Sequence, residues 1–320
     1  MTTPWDPETN RTETLLHIGD PARGRNWQAV LPMLVPGLTV RQWPDIGDPA
    51  GVRYVAAWQP PPTLFDRLPD LELVFSVGAG IDHIDQASLP GHVTLVRMIE
   101  PGLIQGMVEY ATFAVLALHR DMLGHFDRQR RGAWDHAAAP PASARRIAIL
   151  GLGEMGTAIA TRLATFGFPV SGWSRSPRTI AGIHCVAGKA ALPGVLAAAD
   201  ILICALPLTP ETCGLIDATT IARLPRGAMI VNMGRGGHLD EAALLAAIDR
   251  GHIAGAVLDV AAQEPLPADH RFWSDPRILM TPHIAGTTDP AGGARAIAHA
   301  IERHRRGETP RGVVDRERGY

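Results

Sequence analysis

Three short segments in the C-terminal half of the chain each set one reactive side chain among turn residues. They are Gly234-Arg235-Gly236-Gly237, followed by a helix-opening Asp240-Glu241; Leu258-Asp259-Val260-Ala261-Ala262-Gln263-Glu264-Pro265-Leu266-Pro267; and Thr281-Pro282-His283-Ile284-Ala285-Gly286. An imidazole titrates near working pH and can hand a proton to a developing oxyanion. A nearby carboxylate favours the imidazolium and orients the ring. A guanidinium grips a carboxylate through parallel hydrogen bonds. Alone, His283 reads as a structural histidine, Glu264 as a turn or cap residue before proline, and Arg235 as a loop charge. Each follows a strand pattern, however, and in an open α/β sheet residues just beyond the strand ends face the ligand crevice. Together they read as a proton donor, its orienting carboxylate and an anion clamp, a set that needs no metal.

A fourth segment says what would share that crevice. Arg146-Ile147-Ala148-Ile149-Leu150 is an apolar strand pattern that ends in Gly151-Leu152-Gly153-Glu154-Met155-Gly156 and reopens as a helix. In that setting the glycine spacing fits a dinucleotide: Gly151 permits the turn, Gly153 admits the pyrophosphate, and Gly156 lets helix pack on strand. The helix N-terminus favours the negative charge. The next strand, Val170-Ser171-Gly172-Trp173, is followed by Ser174-Arg175-Ser176-Pro177-Arg178, where an NAD site usually carries a carboxylate for the ribose hydroxyls. Two guanidiniums and two hydroxyls suit the 2′-phosphate of NADP instead, so NADPH is expected over NADH. The alternative reading of these residues is an exposed basic turn.

The glycine loop, the Gly-Arg-Gly turn, the Asp-Val-x-x-x-Glu-Pro-Leu-Pro run and the Thr-Pro-His-Ile-Ala-Gly run, in this order, resemble the D-isomer specific 2-hydroxyacid dehydrogenase family. Trp173-Ser174-Arg175-Ser176 and Met107-Val108-Glu109-Tyr110-Ala111 are most similar to its bacterial glyoxylate/hydroxypyruvate reductase A type. The resemblance implies reduction of a small 2-keto acid. His283 would be the general acid, Glu264 its orienting partner, and Arg235 the grip on the substrate carboxylate. It also implies that Leu206 and Pro207, Met233 and Gly234, Asp259, Ala285, Gly286 and Met107 lie by the cofactor. In the N-terminal part, Ser76-Val77-Gly78-Ala79-Gly80-Ile81-Asp82 resembles the family's substrate-carboxylate loop, with N–H groups at Gly78, Ala79 and Gly80. Trp58 resembles a pocket tryptophan, although core packing fits it nearly as well, and His83 reads chiefly as a helix-start residue. Other members act on larger keto acids or phosphoglycerate, and some are nucleotide-sensing co-repressors; both remain alternatives. A homodimer is implied by the family alone.

Elements able to position these residues are legible as alternating strand and helix patterns. Strand patterns at Thr14–Ile18, Leu38–Trp43, Tyr54–Trp58, Leu71–Val77 and Val93–Met98 form a first series; Asn26–Val35 is helical between the first two. A second series runs through Arg146–Leu150, Val170–Trp173, Ile201–Ala205, Ala228–Asn232, Ala254–Asp259 and Ile278–Met280. The expected fold is α/β, with two doubly wound parallel-sheet domains: a Rossmann-type cofactor domain at 105–291 and a smaller flavodoxin-like substrate domain at 1–104 and 292–320, with the active-site cleft between them. Helical spacing is read over Met107–His119, Ala190–Ala199 and Ala291–Arg306, with an irregular connection over Arg128–Ala144. Glycines at Gly102–Gly106 and Gly286–Gly293 suggest hinges.

Composition adds mainly exclusions. At 320 residues and 46% hydrophobic, the chain can bury full cores, and its net charge of −2 gives no reason to expect nucleic acid or an anionic membrane as partner. Cys185, Cys204 and Cys213 suggest neither a disulfide framework nor a zinc site. The polar N-terminus lacks the pattern of a signal peptide, so the expected location is the cytoplasm.

Overall fold

The structure, a computed structural model, describes residues 13–136 and 138–320; the polar stretch 1–12 just read for a signal peptide lies outside the described residues. The chain forms two compact units, one running to Leu103 and resuming as Thr287–Tyr320, the other Ile104–Gly286.

In the first unit, β1 (Glu13–Ile18), α1 (Pro21–Leu34), β2 (Leu38–Gln42), β3 (Val52–Ala57), β4 (Leu73–Ser76) and β5 (Thr94–Val96) build a parallel sheet in the order β2-β1-β3-β4-β5. That order is the flavodoxin-like form of a doubly wound sheet. β1 is buried along its whole length, which explains a run without polar alternation. α1 begins before the expected Asn26, because the Asp20 carboxylate accepts the N–H groups of Ala22 and Arg23 at 3.1 and 3.0 Å and Pro21 occupies the first turn.

The second unit follows α2 (Pro101–His119) and α3 (Met122–Arg130) with β6 (Ile147–Leu150), α4 (Glu154–Ala164), β7 (Val170–Ser174), β8 (His184–Ala187), α5 (Leu192–Ala197), β9 (Ile201–Cys204), α6 (Ala218–Arg223), β10 (Ala228–Asn232), α7 (Glu241–Asp249), β11 (Ile253–Leu258) and β12 (Ile278–Met280). All strands are parallel, in the order β12-β11-β10-β9-β6-β7-β8. The order reverses between β6 and β9, the switch point at which open α/β sheets bind ligands. Side chains alternate between two cores on the two faces of the sheet. Leu150, Leu202, Cys204 and Ile230 enter one, and Ile149, Ile203, Val231 and Val257 the other. α2 lines the second core through Ala111, Ala114, Val115 and Leu118.

The sequence reading of six strands omitted β8. This edge strand is short and partly exposed, so it lacks the apolar run of the central strands. The helix read over Ala190–Ala199 is a shorter α5 preceded by a 3-10 turn, and Arg128–Arg130 belong to α3 rather than to an irregular connection. Gly102 and Gly106 lie inside α2 rather than in a loop, and the boundary between the two units falls between them.

The last helix, α8 (Pro290–Arg305), packs in the first unit, where the Trp27 indole donates to Pro290 O at 2.8 Å. The return was expected after residue 291 and occurs at Thr287. The Thr288 hydroxyl donates to Val77 O at 2.9 Å, and Asp289 caps α8 through Gly292 N at 2.7 Å, so the segment ahead of the helix is already fastened.

Candidate active site

The cofactor loop of the second unit begins where β6 ends. Gly151 has φ +103°, a conformation open to glycine, and a Cβ on Gly156 would overlap the Gly151 carbonyl oxygen. Helix α4 can cross the strand closely only without that Cβ. Gly153 is different, because a Cβ there would meet no protein atom within 4 Å. Nothing in the protein's own packing demands glycine at 153, whereas a pyrophosphate approaching the backbone does. Gly153 is also the N-cap of α4 and provides no side-chain cap, so the first turn presents its N–H groups to an anion. The residues present therefore fit a dinucleotide. Leu152 is buried with its methyls over Gly172 and serves the core, while Glu154 and Met155 form the first turn of α4.

Beyond β7, the Ser174 hydroxyl donates to Ser176 O at 2.7 Å and closes a tight turn. Arg175, Ser176 and Arg178 are exposed around it. The Glu211 carboxyl is held below its usual range, first by the Thr209 hydroxyl and its own N–H, then by the charges of Arg175 and Lys189. Arg175 and Lys189 thus contribute to one basic neighbourhood, of which the sequence reading included only the arginine.

The catalytic candidates stand on the ends of three neighbouring strands. His283, just past β12, has φ +56°, and its N–H donates to Asp259 O at 2.8 Å. Its Nδ1 lies 2.8 Å from Glu264 Oε2, and Glu264 Oε1 accepts the Ala261 N–H at 3.1 Å. Both side chains keep access to solvent, His283 at 30% and Glu264 at 38%. The carboxylate thus fixes the ring from one nitrogen and leaves Nε2 pointing to the other side of the imidazole.

Asp259, only 1% exposed, organises this loop. Its Oδ1 accepts from the Thr281 hydroxyl at 2.7 Å and from Ile284 N at 2.8 Å; its Oδ2 accepts from Ala285 N at 2.8 Å. Since Thr281 donates to Asp259, it accepts from the Tyr110 hydroxyl of α2 at 2.6 Å, and burial raises the pKa of that phenol. A charge-assisted network with this many donors holds the loop more firmly than its length alone would. Asp259 thus sets the backbone around His283, Ala285 and Gly286. A Cβ on Gly106 would sit 3.6 Å from Ala285 O, which brings the Met107 turn of α2 against the same loop.

Arg235 follows β10. A Cβ on Gly236 would overlap the backbone of Ala261 and Ala262, so the arginine turn is pressed against the loop that carries Glu264. Arg235 O accepts from Asn232 Nδ2 at 3.0 Å, and Arg235 N donates to His238 Nδ1 at 3.0 Å. The sequence reading missed His238 and Asn232 because only burial, 0% exposure for each, marks them. Met233 is a core side chain, so this position can offer a ligand only backbone. Leu206 and Pro207 pass over the next strand end: Pro207 O lies 3.2 Å from His238 Nε2.

In the first unit, the Val77–Gly80 loop follows β4. Val77 is buried, and the loop is gathered around Ser76, whose Oγ lies 2.6 Å from Gly80 O and 2.9 Å from Gly78 O. Gly78 N turns back to the same oxygen at 3.2 Å, a contact a substrate carboxylate would have to replace, which leaves Ala79 beside it in the loop. Trp58 is 37% exposed and stacks on His83 with ring centroids 3.9 Å apart. A Cβ on Gly78 would come 3.4 Å from its ring. Trp58 therefore borders the loop instead of filling the core. No helix starts at His83, whose Nε2 lies 3.2 Å from Ser76 Oγ; it props the loop, which corrects the helix-start reading. Among the described residues no His, Cys, Asp and Glu cluster suited to a metal occurs.

Comparison with known proteins gives the family of the chain. Residues 112–285 match the model of the D-isomer specific 2-hydroxyacid dehydrogenase NAD binding domain. The glyoxylate/hydroxypyruvate reductase A of Yersinia enterocolitica is 38% identical over 302 residues, 92% of this chain and 96% of that protein. A D-isomer specific 2-hydroxyacid dehydrogenase of Xanthobacter autotrophicus, solved in complex with NADPH and MES, is 41% identical with a TM-score of 0.93, covering 97% of this chain and 100% of its own. The NADPH-dependent glyoxylate/hydroxypyruvate reductase of Sinorhizobium meliloti, solved with NADP and sulfate, is 34% identical with a TM-score of 0.90 at the same coverage.

Proposed function

The chain belongs to the D-isomer specific 2-hydroxyacid dehydrogenase family, and from that premise we propose that it is an NADPH-dependent reductase of small 2-keto acids, converting glyoxylate to glycolate and hydroxypyruvate to D-glycerate. The observation that carries this reading is the Glu264-held imidazole of His283 on the loop against which the arginine turn is pressed, in the same unit as a glycine loop whose second glycine has no packing reason to be one. Similarity to the Yersinia and Sinorhizobium reductases supports the substrate class.

Gly151–Gly156, Ser174, Arg175, Ser176 and Arg178 would hold NADPH, whose chemistry when bound would be hydride supply to a keto acid. Arg235 pairs with the substrate carboxylate and polarises the carbonyl, and the Val77–Gly80 loop of the first unit resembles the family's substrate-carboxylate loop. Trp58, which borders that loop, resembles the family's pocket tryptophan. His283 carries a proton on Nε2 and gives it to the carbonyl oxygen, while Glu264 stabilises the charged ring and keeps Nε2 directed away from itself. Asp259 maintains the loop that holds this ring.

We also propose a homodimer. Phe113, Met122, Phe126 and Trp134, all exposed on α2, α3 and the segment after them, offer apolar surface to a second copy. A cytoplasmic location agrees with the free thiols of Cys185, Cys204 and Cys213.

The test is oxidation of NADPH, and separately NADH, followed by nicotinamide absorbance with a panel of 2-keto acids. Turnover of glyoxylate or hydroxypyruvate with NADPH preferred supports the reading. Turnover confined to larger keto acids would replace the substrate, and binding of NADPH without any turnover would replace the enzyme with a sensor.

A further inference from the structure

His238 joins the two loops that the proposed reaction must keep in register. It is 0% exposed and lies three residues after Arg235, at the end of a 3-10 turn, Gly236–His238. The Arg235 N–H points at its Nδ1, at 3.0 Å. Nδ1 also lies 3.1 Å from Arg235 O, but that oxygen already accepts from Asn232 Nδ2 at 3.0 Å and His238 N at 3.2 Å. The network therefore assigns Nδ1 as the acceptor. The ring proton sits on Nε2 and is donated to Pro207 O at 3.2 Å. Pro207 O also accepts the Thr212 hydroxyl at 2.7 Å.

The same two loops are zipped elsewhere by backbone. Gly214 N donates to Gly237 O at 2.8 Å and Ile216 N to His238 O at 2.8 Å. A Cβ on Gly234 would come 3.0 Å from His238 Nδ1 and 3.1 Å from Leu206 O, so the ring is wedged where the two chains approach most closely. One imidazole thus fixes the backbone of Arg235 from one nitrogen and the Leu206–Thr209 loop from the other.

We infer that His238 is a positioning residue that couples the substrate-gripping arginine to the cofactor-side loop, and that it does so as a neutral ring protonated on Nε2. Protonating Nδ1 as well would set an N–H against the Arg235 N–H. Only a side chain with an acceptor near the backbone and a donor beyond it performs both tasks. The inference rests on the reading of Arg235 given under the proposed function and on the family resemblance that puts Leu206 and Pro207 by the cofactor.

The experiment separates the two halves of the ring. His238→Asn retains an acceptor at the Nδ1 position and cannot reach Pro207; His238→Gln retains a donor near the Nε2 position and has no acceptor at Nδ1. NADPH affinity is read from nicotinamide fluorescence without keto acid, and kcat and KM for glyoxylate at saturating NADPH. The Asn variant is expected to weaken NADPH about 10-fold while KM for glyoxylate stays within about 2-fold; the Gln variant reverses the pattern, with NADPH affinity near wild type and kcat/KM for glyoxylate lowered about 10-fold or more. Equal losses in both variants, or lower thermal stability with unchanged constants, would reduce His238 to a packing residue. Should either variant not unfold cooperatively, Thr212→Val, which leaves the histidine and removes the other donor to Pro207 O, is expected to weaken NADPH by several-fold, and unchanged affinity would overturn the link to the cofactor. If wild type binds NADPH yet reduces no keto acid, the functional reading fails while the fluorescence arm still decides the coupling.

Discussion

Glu264 holds the His283 ring through Nδ1 at 2.8 Å while its other oxygen is anchored by the Ala261 N–H at 3.1 Å. The carboxylate therefore acts as a bracket with one end on the backbone. Replacing His283 by Ala removes the proposed proton donor and is expected to lower kcat by about 10²-fold or more, with NADPH affinity retained. Glu264→Gln keeps an acceptor oxygen but loses the charge that supports the imidazolium, and a smaller fall in kcat, about 10-fold or more, is expected. Steady-state rates check both, and an undiminished kcat in folded His283→Ala would remove this residue from the chemistry.

Arg175 lies within the Ser174–Ser176 turn and Arg178 two residues beyond it, and no carboxylate belongs to the segment 174–178. Changing both to Ala is expected to raise KM for NADPH about 10-fold or more, since charge-assisted contacts to phosphate are the ones lost, and to leave KM for NADH nearly unchanged. The ratio of the two constants checks this. A parallel rise for both nucleotides would assign the arginines to the pyrophosphate or to folding.

Gly153 and Gly156 make opposite demands. Gly156→Ala forces the strand and α4 apart, and a loss of stability of about 1–3 kcal/mol is expected. Gly153→Ala meets no protein atom and sits at an extended N-cap, so stability should stay within about 1 kcal/mol of wild type while NADPH binding weakens. Denaturant unfolding and NADPH titration of the two variants separate these effects; unaltered NADPH affinity in Gly153→Ala would take the pyrophosphate away from this loop.

His17 is 1% exposed on β1, edge-on to Trp27 with ring centroids 5.0 Å apart. Burial first, and the Arg23 charge second, push its pKa down to about 4, against a smaller opposing effect of Asp20. The unfolded chain takes up this proton near pH 6.5 and the folded chain only near 4, so stability is fully present above pH 6.5 and falls as the pH drops toward 4. The loss from this one group is about 3 kcal/mol, with no further contribution below that range. His17→Leu should flatten the slope of unfolding free energy over this window, and an unaltered slope would place the titrating group elsewhere.

Most strands and the candidate site residues at their ends were legible because buried parallel strands are short apolar runs and these residues follow them directly. Arg235, Glu264 and His283, the glycine loop and the basic turn after Trp173 could all be read this way. Edge strand β8 could not, since partial exposure erases its pattern, and the start of α1 was hidden because Asp20 and Pro21 set it, while the apolar spacing begins later. What the sequence determined by itself is the order of the elements and the type of side chain at each strand end, because periodicity and residue chemistry are local. Only the tertiary structure decided which groups hold those side chains. Asp259 reaches from the end of β11 to the 281–285 loop at the end of neighbouring β12, His238 spans the Arg235 turn and Pro207, and His83 stacks on Trp58 to prop Ser76. Asp259 and the 281–285 loop, and His238 and Pro207, meet through hydrogen bonds between segments more than 20 residues apart, and no local pattern encodes where a buried ring or carboxylate will find such partners.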